Sequence, residues 1–165
     1  MTLDDLERLP PLSIPCYALR MKKLDTGDLK VYDPLRKKWI LLTPEEFVRQ
    51  NFTRWLMDTK GYPSTLLQNE VSLNVNDTIK RCDTLALDRE GKPLIVVEYK
   101  APNVEITQEV FDQIYRYNLF LKAKYLIVSN GRRNYCCRMD YKNDTYNFIP
   151  VIPSFQEAMG LPGEN

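Results

Sequence analysis

Arg81-Cys82-Asp83 and, a short way on, Leu94-Ile95-Val96-Val97-Glu98-Tyr99-Lys100 form the stretch whose reading decides the fold. The second run is apolar and then carries Glu98 and Lys100 two positions apart. Charges embedded in a buried strand are costly unless they are paired or bind metal. Arg89-Glu90-Gly91-Lys92 between the two runs reads as a hairpin turn. A turn centred between Glu90 and Gly91 places Asp83 opposite Glu98. The two-residue period of a strand then sets Glu98 and Lys100 on one face, with Asp83 joining them across the hairpin. Like charges facing each other in a sheet destabilise it unless a cation sits between them.

Upstream, Glu70-Val71-Ser72-Leu73-Asn74-Val75 alternates as a half-buried strand with Val71, Leu73 and Val75 inward, and Asn76-Asp77 turns into the strand Lys80–Asp88. A helix starts earlier, at Thr43-Pro44-Glu45-Glu46. Thr43 is the N-cap, Pro44 the first helical position, and Glu46 completes a capping box. Val48, Phe52 and Trp55 form its buried stripe, and Gly61-Tyr62-Pro63 stops it near Lys60. Glu45 falls on the flank of that stripe and Glu46 nearly opposite it, so Glu46 is assigned to the cap and Glu45 to the sheet side. Glu70, at the head of its strand, is a further carboxylate within reach.

Downstream, Thr107 caps a helix through Lys122, with Val110, Ile114, Tyr117 and Leu121 as the buried stripe and Phe111 and Gln113 on its flanks. Tyr125–Ser129 is a fully apolar strand, so the step from Val96 to Val128 is a right-handed parallel crossover. Two more strands are expected at Tyr135–Met139 and Tyr146–Ile152. The fold class is α/β, an αβββαβ core with a mixed central sheet flanked by helices. Residues 1–153 make one domain with an irregular extension over 1–30, and residues 154–165 a flexible tail.

Hydrophobic content of 44% and charged content of 27% are those of a globular protein, and no apolar run approaches the ~20 residues of a membrane span. The N-terminus lacks a signal-peptide pattern, which makes the cytoplasm the expected location. The chain has no histidine and no C-x-x-C pair among Cys16, Cys82, Cys136 and Cys137. That rules against a structural zinc site and excludes Ser-His or Cys-His nucleophile systems within the chain. Acid–base and metal chemistry falls to carboxylates, lysines and tyrosines. The net charge of +1 leaves no global footprint for nucleic acid, although Arg20/Lys22/Lys23, Arg36-Lys37-Lys38 and Arg132-Arg133 are local basic patches.

Asp83, Glu98 and Glu45 are candidate hard-oxygen ligands for Mg²⁺ or Mn²⁺, which keep several waters and also bind phosphate oxygens. Lys100 is placed to act on an attacking water and to offset charge developing on phosphorus, and Gln113 to orient substrate or water. E-x-K taken alone is far more often a solvent-facing pair on an edge strand, because the pattern is short. Its combination with Asp83 in pairing register and with carboxylate and Gln113/Tyr117 on two helices favours phosphodiester hydrolysis.

Asp83 with Glu98-x-Lys100, the helix bearing Glu45 and the helix bearing Gln113-x-x-x-Tyr117 resembles the PD-(D/E)xK nuclease superfamily. Thr43-Pro44-Glu45-Glu46-Phe47-Val48-Arg49-Gln50, Glu98-Tyr99-Lys100-Ala101-Pro102, Asp112-Gln113 with Tyr117-Asn118, and Ser129-Asn130-Gly131 are similar to the N-terminal nuclease domain of type I restriction enzyme R subunits, in a small stand-alone form. The resemblance implies a restriction-endonuclease-like core that cuts DNA with Mg²⁺. It makes Asp83 and Glu98 metal ligands, Glu45 the helix carboxylate, Lys100 the catalytic lysine, and Gln113 and Tyr117 the Q-x-x-x-Y pair. Tyr117, Arg49 and Asn130 are the candidates for substrate contact. Restriction-modification or motor subunits are the implied partners. Cys82 stands where the superfamily has proline. The chain carries no G-x-x-x-x-G-K-[ST], so ATP-driven translocation cannot come from it alone. The alternative is a non-catalytic or partner-dependent nucleic-acid-binding module on the same fold.

Overall fold

The computed structural model describes residues 1–75 and 78–160, with the side chains of Leu73, Val75 and Thr78 left out. The expected Asn76-Asp77 turn and the inward placement of Leu73 and Val75 therefore lie outside the described residues.

The central sheet forms where the apolar runs are densest. Six strands run in chain order, β4 (Leu67–Val75), β5 (Thr78–Leu87), β6 (Pro93–Tyr99), β7 (Tyr125–Ser129), β8 (Asn134–Asp140) and β9 (Thr145–Ile149). All neighbours are antiparallel except β6 and β7, which pair in parallel through the crossover helix α3 (Gln108–Leu121). This gives the expected helix–strand–strand–strand–helix–strand order, opened by α2 (Pro44–Asp58). The hairpin register is also as read: Thr84 pairs Val97, Leu85 pairs Val96 and Ala86 pairs Ile95, with a bulge before Leu87↔Pro93.

Side-chain alternation along β6 divides the core into two layers. Ile95, Val97 and Tyr99 pack with Val48, Phe52 and Leu56 of α2, while Val96 packs with Leu126, Val128, Phe111 and Ile114 on the α3 side. All five residues of β7 are buried, as a strand covered on both faces requires. Each such fully buried aliphatic side chain stabilises the fold by roughly 1.5–3 kcal/mol.

Four expectations need correction. The α3 stripe is rotated, because its buried residues are Phe111, Ile114 and Asn118, while Val110, Tyr117 and Leu121 are only partly covered. Asn118 sits inside because its side chain bonds the Ala123 backbone just past the helix end. Thr43 does cap α2 by accepting the Glu46 amide at 3.0 Å, but the Glu46 side chain is drawn inward to arginines. Residues 1–30 are not irregular throughout. They hold a short helix, α1 (Leu3–Glu7), and β1 (Met21–Lys23), which joins β2 (Leu29–Asp33) and β3 (Lys38–Leu41) in a separate antiparallel sheet. The tail expected from residue 154 instead forms α4 (Phe155–Met159), with Phe155 and Ala158 buried in the α2-side core. A Ser154–Glu157 capping box starts it.

Candidate active site

The β5–β6 ladder stops at Thr84↔Val97, one step before Asp83 would meet Glu98. Here the two strands part. The Asp83 carboxylate enters the gap, accepting the Tyr99 amide on Oδ2 at 2.8 Å and Arg49 Nη2 on Oδ1 at 3.0 Å. The separation is held from below by Tyr99, fully buried and packed edge-on to Phe52 at 5.5 Å, with the Arg49 guanidinium over its ring. An apolar strand thus ends on a polar corner, which is where the sequence put its charges.

Glu98 and Lys100 share that corner, with Lys100 Nζ 3.9 Å from Glu98 Oε1. Burial pushes the Glu98 carboxyl up to about 8, and the nearby Asp83 charge adds to the rise, only partly opposed by Lys100. Glu45, in the first turn of α2, is also raised, by its own burial and then by Asp83, and its carboxylate stands 3.8 Å from Arg49. Four predicted residues therefore cluster at this corner as two sets, Glu98 with Lys100 from the end of β6, and Asp83 of β5 with Glu45 of α2 through Arg49, near enough for the charges of Asp83 and Glu45 to act on Glu98.

On the α3 side, Gln113 and Tyr117 line a groove of about 470 Å³ together with Glu98, Lys80, Arg81, Arg116 and Phe120. The Tyr117 hydroxyl is buried with no hydrogen-bond partner among the described residues, and burial raises its pKa. An unpartnered buried hydroxyl beside Glu98 is a polar atom open to a ligand or water.

Arg49 and Asn130 are placed differently from the expectation of substrate contact. Arg49 is 3% exposed and engages Glu46, Glu70 at 2.7 Å and Asp83. Burial alone would lower its pKa, but the carboxylates of Glu46, Asp83 and Glu70 more than offset that and raise it. With its charge saturated by acids, Arg49 is an internal brace and not a surface contact. Asn130 is 5% exposed and closes the β7–β8 turn, accepting the Arg132 and Arg133 amides and donating to the Val104 carbonyl. Its polar atoms are used to close that turn and to tie it to the β6–α3 connection.

Sequence reasoning assigned Glu46 to the cap alone and left Glu70 open. Glu46 bonds Arg36, Arg49 and Gln50, and Arg36 in turn bonds Asp33, so a buried chain of charges runs from β2 to Asp83. Asp33 stays ionised there: burial would raise its pKa, but hydrogen bonds from Asn69 and Arg36 lower it. The i,i+3 spacing of Glu46 and Arg49 was the available signal. Glu70 adopts a left-handed conformation, φ +55°, and drops out of the β4–β5 ladder, which passes from Asn69↔Thr84 to Val71↔Cys82. That conformation costs a non-glycine residue roughly 1–2 kcal/mol and turns its carboxylate to Arg49 and Arg81.

A magnesium ion would suit this donor set. Among the described residues no three acid or thiol side chains form a group able to hold a metal unaided. Magnesium does not need one, since one or two carboxylates, waters and phosphate oxygens complete its shell. The raised Glu98 near Asp83 is the feature that fits, because a cation there would cancel the Asp83 repulsion and offset the cost of ionising a buried carboxyl.

Residues 44–153 match the family described as type I restriction enzyme R protein N terminus (HSDR_N). The fold is similar to a solved fragment described as an HsdR subunit of a type I restriction enzyme from Vibrio vulnificus, with a TM-score of 0.54 at 18% identity. The match covers 72% of this chain and 25% of that one, so this chain spans a quarter of the length of that relative. No curated protein matches the sequence.

Proposed function

The chain belongs to the family of type I restriction enzyme R protein N termini, and on that premise we propose that it is a magnesium-dependent DNA endonuclease that hydrolyses a phosphodiester at the corner where β5 and β6 part. The observation that carries the reading is the gathering of Asp83, Glu98 and Lys100 where the β5–β6 ladder ends, with the Glu98 carboxyl raised to about 8 by burial and then by the Asp83 charge. When bound, Mg²⁺ or Mn²⁺ would neutralise the two carboxylates and polarise a phosphate oxygen.

The chain's own residues have separable tasks. Asp83 is fixed in orientation by the Tyr99 amide and by Arg49, so it presents a set geometry at no entropic cost during reaction. Glu98 is the second ligand, its ionisation favoured by any cation that arrives. The Lys100 ammonium stands within reach of the same phosphate and stabilises negative charge as it develops on the phosphoryl oxygens. Gln113 and the free Tyr117 hydroxyl, lining the groove beside Glu98, offer hydrogen bonds that orient the substrate strand. Glu45 adds a third carboxylate at the edge. Restriction-modification or motor subunits are the partners consistent with the family, and the cytoplasm is where such DNA would be met.

Plasmid cleavage in Mg²⁺ or Mn²⁺ tests this. Wild type should nick supercoiled DNA, and Asp83→Ala and Lys100→Ala should each lose about 10²–10³ of the rate, the usual loss on removing one electrostatic group from a reaction centre. Equal cleavage by all three proteins would overturn the site. One observation favours a second reading, a partner-dependent or non-catalytic nucleic-acid-binding module: Arg49 already holds Asp83 Oδ1. DNA binding without cleavage by the wild type would select it.

A further inference from the structure

The three-stranded sheet β1–β2–β3 precedes the family-matched residues, which begin at 44. Its two faces differ in chemistry. Leu29, Val31 and Ile40 face inward and pack on Met1, Leu6, Leu42 and Phe47. The cross-strand register puts Lys22, Lys30 and Leu41 in one row and Tyr32 and Trp39 in the next, all on the opposite face. Arg20 extends that face, its guanidinium 5.1 Å from the Tyr32 ring and 5.3 Å from the Trp39 ring, and Lys22 Nζ lies 4.4 Å from Trp39.

We propose that this outward face, carrying Arg20, Lys22, Lys30, Tyr32 and Trp39, is a second nucleic-acid contact that grips the phosphate backbone of duplex DNA. No register position on the face carries an acid. Among the described residues, no carboxylate lies within ion-pair distance of Arg20, Lys22 or Lys30. Arg20 and Lys22 are held by ring faces, an attraction that positions them while leaving their charge and N–H donors unspent. Because those cations cover the rings, base stacking of a single strand is not what the face offers. Phosphate neutralisation is, and contacts of that kind fix position on DNA without reading sequence. The near-zero net charge of the whole chain hides the patch, since acids elsewhere balance it.

The sheet is also rigidly mounted. Arg36 after β2 bonds Glu46 of α2, and Asp33 accepts Asn69 of β4 at 3.1 Å. A duplex held on this face therefore keeps a fixed relation to the corner where β5 and β6 part. The inference shares its ligand class with the proposed function but none of its residues, and binding is read apart from cleavage.

The test is a salt titration of the full chain with a labelled duplex in EDTA, followed by fluorescence anisotropy. Each phosphate contact contributes about 0.9 to the slope of log affinity against log salt. Arg20→Gln/Lys22→Gln/Lys30→Gln should bind about tenfold or more weakly and lose roughly two to three units of that slope. Lys30→Gln alone, which uncovers no ring, should lose about one unit. Lys92→Gln, an exposed lysine paired with Glu90 on the β5–β6 turn, should bind as wild type. The proposal is overturned if wild type does not bind duplex, if the triple variant keeps the wild-type slope, or if Lys92→Gln loses as much. It is also overturned if polyglutamate binding weakens as far as DNA binding, which would mark a site for acidic proteins. Binding retained by Asp83→Ala with cleavage lost supports the separation of the two sites, whereas uncleaved plasmid with the slope change intact would count against the nuclease reading alone.

Discussion

Glu98 carries a charge that its surroundings resist. Its side chain is 27% exposed, and its carboxyl is raised from 4.5 to about 8 by burial and then by the charge of Asp83. A folded state that holds a proton more tightly than the unfolded chain loses stability as pH rises through the interval between the two values. In the metal-free protein this group therefore stabilises the fold least above pH 8 and ceases to matter below about 4.5. Glu98→Gln keeps the shape and removes the titration. In EDTA it should be more stable than wild type by roughly 3–5 kcal/mol at pH 8 and by about 1 kcal/mol or less at pH 5, since each tenfold difference in proton affinity between folded and unfolded chain is worth about 1.4 kcal/mol. Urea denaturation at the two values measures this. A wild-type pH dependence that persists unchanged in Glu98→Gln would assign it to other groups. Mg²⁺ should recover much of the difference for wild type at pH 8, and little for the variant.

At the scale of single elements, the left-handed residue that ends α3 gives a clean case. Lys122 is the C-cap, φ +55°, its amide donating to Asn118 at the close of the helix, and its side chain is exposed. Glycine is the residue that adopts this conformation without a steric penalty. Lys122→Gly should stabilise the protein by about 0.5–1 kcal/mol, and a fall in urea midpoint would show that the lysine stem packs on something it does not touch in this structure. The same helix shows what its sequence conceals. Apolar spacing points to Val110, Ile114, Tyr117 and Leu121, yet the buried line includes Asn118, which no hydrophobic count would choose. The hairpin is the opposite case. Apolar β6 followed by Glu98 and Lys100, and Gly91 in the turn, fixed the Thr84↔Val97 register from local signals alone. The partners of Glu46 and Glu70 were hidden for another reason. Arg36 lies in the turn between β2 and β3, ahead of the helix that carries Glu46, and Glu70 reaches Arg49 only by leaving its own ladder, so neither contact leaves a trace in local periodicity.

Across the whole molecule, α4 closes the α2-side layer from the far end of the chain. Its Phe155 is 4% exposed, packs edge-on to Tyr62 at 5.5 Å, and donates its amide to the Lys60 carbonyl just after α2. The Tyr62 hydroxyl in turn donates to the Pro153 carbonyl at 2.9 Å, so the end of α2 and the start of α4 fasten each other. Pro153 at its start and the ending Gly160-Leu161-Pro162-Gly163-Glu164-Asn165 make the segment look frayed in sequence, and only the contacts with Tyr62 and the Lys60 carbonyl give it a place. Truncating a buried phenylalanine removes its transfer free energy and leaves a cavity that a packed layer fills poorly. Phe155→Ala should cost about 3–5 kcal/mol, read as a lower urea midpoint with an unchanged slope. Since α2 carries Glu45, Glu46 and Arg49 at its other end, the loss is felt through that helix as global instability before any change at Asp83. If Phe155→Ala left stability within about 0.5 kcal/mol of wild type, the range of ordinary surface substitutions, α4 would be a surface appendage and not part of the core.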